Sequence, residues 1–156
     1  MRFTRLIAVL MAAVLTAGCQ AWGDGHTAAP AEKSGTGELR TDLEPLTKRF
    51  PALADAEQAR WMSGTFGSDR APGPSTYWID AVITLPESKI DELRTAHVPE
   101  SAGKTPEVVD GLRAELPGGP FLTGERLDRA FGHDEWGAKA YLVPDRRALV
   151  LVATGT

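Results

Sequence analysis

His133, Asp134 and Glu135 form the densest group of titratable side chains in the chain. A histidine oriented by a carboxylate is the pair an acid–base hydrolase uses to move a proton. The same three residues offer nitrogen and oxygen ligands to a metal. Three consecutive side chains do not converge on one point from a regular strand, however, because neighbours leave it on opposite faces. No second cluster completes a site, so no catalytic, cofactor-binding or metal-binding residue is assigned. His97 falls at the end of a short helical pattern, where its ring interacts with the last carbonyls. Two histidines without a third ligand do not make a zinc site.

Nucleophiles and phosphate loops give less. Ser63, Ser75, Ser88 and Ser101 lack the Gly-x-Ser-x-Gly turn that raises a serine for attack. The chain carries neither the glycine-lysine loop that cradles phosphates nor the dinucleotide fingerprint. Asp69-Arg70-Ala71-Pro72-Gly73-Pro74-Ser75 is of more interest as a recognition loop. It is stiffened by prolines and flanked by Trp61, Tyr77 and Trp78, and arginine and large aromatics are enriched among interface anchors. Asp69, Arg70 and Trp78 are its candidate contact residues. Trp78 lies on the more polar face of its strand and is expected to be exposed, whereas Trp61 is expected in the core.

The elements that must carry these residues follow from periodicity. Tyr77, Ile79, Ala81, Ile83 and Leu85 alternate with Thr76, Trp78, Asp80, Val82 and Thr84, which predicts a half-buried strand. Gln58 to Phe66 is its expected partner. Trp136 to Val143 and Ala148 to Thr154 read as a hairpin around Pro144-Asp145-Arg146-Arg147. The unbroken apolar run Ala148 to Val152 suits a central strand covered on both faces. Thr41-Asp42-Leu43-Glu44 matches a capping box opening a helix that Pro51 ends. Ile90 and Leu93 mark a second helix. Val108, Val109, Leu112 and Leu116 predict another after Thr105-Pro106, and Thr123 is placed as the cap of a further short one. The expected fold is α+β, an antiparallel sheet of about four strands packed against two or three helices.

The N-terminus gives an address. Arg2 and Arg5 precede an apolar run from Leu6 to Ala17, shorter than the roughly 20 residues that span a bilayer. A positive start, a short apolar core and small residues at its end make a secretory signal. Leu15-Thr16-Ala17-Gly18-Cys19 resembles the lipobox of bacterial lipoproteins, with Thr16 where leucine is usual. The resemblance covers residues 1–19 only. It implies cleavage before Cys19 and a diacylglycerol on that thiol, a double chain that anchors stably where one chain does not. Cys19 is the only cysteine, so lipidation also gives it a purpose.

The expected organisation is a signal peptide over 1–18, a lipidated flexible tether over 19–40 and one α+β domain over 41–156. Losing residues 1–18 removes two arginines and no acid, which takes the formal charge from −4 to −6. An acidic domain is a poor partner for nucleic acid. It also does not dock electrostatically on anionic lipid, which leaves the anchor as the link to the outer face of the membrane. The leading expectation is a non-enzymatic domain binding an envelope protein or a small ligand, with no cofactor. The alternatives are an extracytoplasmic hydrolase using His133 with Asp134 or Glu135, and a structural envelope component.

Overall fold

Four long strands carry the structure, because their sequences put small and branched apolar residues on both sides. A computed structural model describes residues 32–34, 37–66, 75–133 and 135–156. The signal, Cys19, Asp69, Arg70 and Asp134 lie outside the described residues. The strands are β1 (Lys33–Ser34), β2 (Gln58–Phe66), β3 (Tyr77–Thr84), β4 (Glu100–Ser101), β5 (Leu122–Thr123), β6 (Trp136–Val143) and β7 (Ala148–Gly155). Among the described residues they form one seven-stranded antiparallel sheet in the order β1-β2-β3-β7-β6-β5-β4.

This corrects the expected sheet of about four strands resting on helices. The three added strands have two residues each, too few for any period to register. The helices are short: α1 (Glu44–Arg49), α2 (Glu87–His97) and α3 (Glu125–Phe131). The helix expected after Thr105 does not form. The chain stays irregular to Val109 and then makes a 3-10 helix over Asp110–Glu115. Its placement has a local cause. The Val109 N–H donates to Asp80 Oδ2 at 2.6 Å, and Gly111 lies so close to Met62 that a Cβ there would meet its sulfur at 2.8 Å.

Two capping expectations also fail. α1 begins after Leu43 without a side-chain cap: Thr41 stands two residues before the cap position, and the Glu44 carboxylate pairs with Lys48 at 2.7 Å. Thr123 belongs to β5, and its hydroxyl donates to the Ala140 carbonyl at 2.8 Å. The stretch assigned to a tether contributes to the sheet as well. Lys33 and Ser34 pair with Phe66 and Thr65, and Arg40 bridges to Trp61.

Both faces of the sheet are covered. On the first, Trp61, Ala81, Leu151 and Ala140 form a row across four strands under Leu46, Phe50, Ile90, Leu93, Leu127 and Phe131. On the second, Met62, Trp78 and Val150 lie under Val108, Leu112 and Phe121 from the 102–121 segment. β7 lies in the middle, and its Ala148 to Leu151 run is buried throughout, as two covered faces require.

Candidate functional site

Among the described residues, the cover over the first face ends before the sheet does. α1 runs over the Trp61 row and stops at Arg49, while β2 and β3 continue to Phe66 and Tyr77. The uncovered end is the floor of an open groove of about 950 Å³. That volume is in the range of small-molecule sites. Ser63, Thr65, Tyr77 and Ile79 line the floor. Lys48 and Arg49 form one wall, and His133, Glu135 and Trp136 close the end.

The wall is assembled from aromatic and cationic contacts. The Phe50 ring meets Trp136 edge-on at 5.8 Å and His133 at 6.1 Å. The Arg49 guanidinium lies 4.8 Å from the Trp136 ring, a cation–π distance. His133 Nε2 is 3.0 Å from the Arg49 carbonyl. A carbonyl only accepts, so this nitrogen carries the proton and Nδ1 is the unprotonated one in the neutral ring. The main chains of His133 and Trp136 exchange two hydrogen bonds of 2.8 Å, and His133 and Glu135 are both exposed.

The residues singled out from sequence fall unevenly around this groove. His133 and Glu135 both line it. No carboxylate among the described residues bonds the His133 ring, and Asp134 between them lies outside the described residues. His97 sits in the last turn of α2, away from the groove. Trp78 corrects an expectation: it is fully buried rather than exposed. The 102–121 segment covers its face, and its indole N–H is shared between the carbonyls of Ser34 at 3.1 Å and Thr65 at 3.0 Å. It is a structural residue of the second core. Tyr77, one position earlier and of opposite parity, is the exposed aromatic, at 46 %.

Arg49 and Trp136 were not distinguishable in the sequence. Their meeting depends on α1 ending beside the first residue of β6, and no local pattern carries that. Among the described residues no group of three or more His, Cys, Asp and Glu side chains is gathered as metal ligands. No described helix is long and apolar enough to cross a membrane. No protein family, curated protein or solved structure matches this chain.

Proposed function

We propose that the chain is an exported lipoprotein, held on the outer face of the cell membrane by lipid on Cys19, whose domain is a binding module. The groove is its binding surface. The address rests on the charge, apolar core and lipobox of residues 1–19. The binding role rests on one observation: the open groove brings Tyr77, Arg49 and His133 to the uncovered end of the sheet. Large aromatics and arginine are the side chains that anchor recognition most often. The paired main chains of His133 and Trp136 and the packing of Phe50 on Trp136 tie the far wall to the core, and a pre-arranged wall lowers the entropy lost on binding.

The test is crosslinking in intact cells, with capture through the C-terminus and mass spectrometry of what is recovered. The wild-type chain is compared with Tyr77→Ala and Arg49→Ala. Loss of a dominant captured species in both variants supports the groove; capture indifferent to both removes it. The same digest tests the address, which requires a diacylated peptide beginning at Cys19 and is refuted by an unmodified one.

A second reading has one observation in its favour: His133 and Glu135 share the groove. An extracytoplasmic hydrolase would use the unprotonated Nδ1 of His133 as its base, with Glu135 or Asp134 as the acidic partner. His133→Gln then abolishes turnover while leaving binding at Arg49 and Tyr77 in place. A loss of stability without loss of turnover makes the histidine structural.

A further inference from the structure

The floor and walls of the groove differ in chemistry, and the difference points to a class of ligand. The Ser63 and Thr65 hydroxyls lie on the floor, and neither has a side-chain hydrogen bond among the described residues. The Tyr77 phenol is likewise unengaged there, and its ring offers an exposed aromatic face. Three hydroxyls that both donate and accept, beside an aromatic face, suit a molecule with many hydroxyls and an apolar C–H face. A sugar ring has both.

The walls add charge. Arg49 meets no carboxylate among the described residues, and its guanidinium is held over Trp136 instead. Among the described residues Lys48 beside it is tied only to exposed Glu44 on its own helix, at 2.7 Å, a pair worth little in water. Glu135 is, among the described residues, the one carboxylate side chain lining the groove, against these two cations. A locally cationic wall on a chain of formal charge −4 selects for a negative group. Arginine's planar fork matches a carboxylate or a phosphate.

We infer that the groove binds an anionic glycan, with a sugar ring on Tyr77, its hydroxyls on Ser63 and Thr65, and its acidic group on Arg49. This rests on the reading of the groove as the binding surface. On the outer face of a bacterial membrane the acidic group has two sources, the carboxylates of the wall glycan and the phosphates of polymers attached to it.

The experiment is co-sedimentation of the full chain with purified wall sacculi in three forms. One form is intact, one is stripped of phosphate polymers with hydrofluoric acid, and one has its carboxylates amidated. Saturable binding that weakens with salt and falls at least tenfold in Arg49→Ala and in Tyr77→Ala supports the inference. Loss on stripping names phosphate as the acidic group, and loss on amidation names carboxylate. Thr65→Val keeps a β-branched residue in the strand and removes the hydroxyl, so a weakening there without a change in melting temperature supports the placement of the sugar. Binding unchanged in Arg49→Ala, or equal on sacculi deprived of both acidic groups, overturns the inference. Absent sacculus binding, with groove-dependent capture in cells intact, overturns the glycan and leaves the binding surface standing. Absence of both overturns the two together.

Discussion

Lys33 Nζ lies 2.6 Å from both carboxylate oxygens of Asp80, a residue 47 positions further along the chain and wholly shielded from solvent. Asp80 takes a third hydrogen bond from the Val109 N–H at 2.6 Å. One carboxylate in the middle of β3 therefore holds both the N-terminal strand and the 3-10 helix that covers the second face. A buried charge stripped of its partner costs about 3–5 kcal/mol. Lys33→Met is expected near the lower end of that range, since the Lys33 side chain keeps 21 % exposure. Adding Asp80→Asn removes the stranded charge and should restore part of the loss. Urea unfolding of the two single variants and the double variant measures this. A cost below about 0.5 kcal/mol for Lys33→Met, the level of an ordinary surface change, makes the pair incidental.

A second ion pair predicts behaviour in alkali. Asp128 on α3 is buried against β6, where Oδ1 accepts from the Ala140 N–H at 2.9 Å and Oδ2 accepts from Lys139 Nζ at 2.6 Å. The hydrogen bond that Lys139 donates to the Asp128 carboxylate, together with that carboxylate's charge, holds the ammonium protonated above the usual lysine range. A raised folded pKa contributes stability that is complete below the unfolded value of about 10.4 and is lost as pH rises through the folded value. Stability should therefore fall above about pH 10 in the wild type, and less steeply in Lys139→Met. The Lys139 side chain is 64 % exposed, so screening keeps the difference to a fraction of a kcal/mol, about that of a surface pair. Parallel alkaline limbs in the two proteins would refute the assignment.

Acid shows the opposite sign. The Arg40 guanidinium bonded to Asp42 holds that carboxyl below its usual range. Its contribution is present above the unfolded value of about 3.9 and disappears as pH falls through the folded one. Arg40→Ala should shallow the acid limb of the stability curve. Arg40 also lies 4.1 Å over the Trp61 ring, so a drop at neutral pH accompanies the change.

Val98 ends α2 with φ 45° and ψ 56°, in the left-handed region, while its side chain is 66 % exposed. A branched residue gains nothing from that conformation and costs roughly 1–2 kcal/mol there. Glycine removes the strain and adds about 0.5–1 kcal/mol of unfolded-state entropy. Val98→Gly should stabilise by about 1 kcal/mol or slightly less, a rise of a few degrees in melting temperature. A fall would mean that the exposed isopropyl group has packing the fold depends on.

Gly155 pairs with Trp136 across β7 and β6. A Cβ at this position would stand 2.5 Å from the Trp136 ring and 2.7 Å from the Glu135 carbonyl. Neither neighbour is a flexible chain end. Gly155→Ala should cost about 1–3 kcal/mol and push the indole toward the groove. Near-ultraviolet circular dichroism, or tryptophan emission in a chain with the other indoles replaced, reports the movement. An unchanged spectrum and stability would show that the end of the sheet is looser than its packing implies.

Strands of eight or nine residues were legible because alternation repeats several times within them. Tyr77–Thr84 and Trp136–Val143 lie within or on the ranges their patterns give, and Gln58–Phe66 matches. Lys33–Ser34, Glu100–Ser101 and Leu122–Thr123 have no period to read; they are strands because a neighbour offers an edge. Val108 and Leu112 are buried as their spacing implies, yet Val108 lies on irregular chain and Leu112 on a 3-10 helix, where contacts to Asp80 and Met62 fix the segment. Trp78 shows the limit of parity. Its face reads as polar through Thr76, Asp80 and Thr84, and only the segment lying over it and the Lys33 pairing make it core. Of the groove, His133 and Glu135 were visible as chemistry, whereas Arg49 came into it through the end point of a six-residue helix.

The two residues of β1 also decide how the molecule bears load. Lys33 and Ser34 are the first described strand, and they run antiparallel to β2 from its Phe66 end. Among the described residues, a pull from the N-terminal side reaches this strand first. The first to resist are the grip of Lys33 on Asp80 and of the Trp78 indole on the Ser34 carbonyl. Both end in buried atoms of β3, a strand flanked on either side by others. Such a pull is therefore passed beyond β2, the strand that pairs with β1, to one in the interior of the sheet.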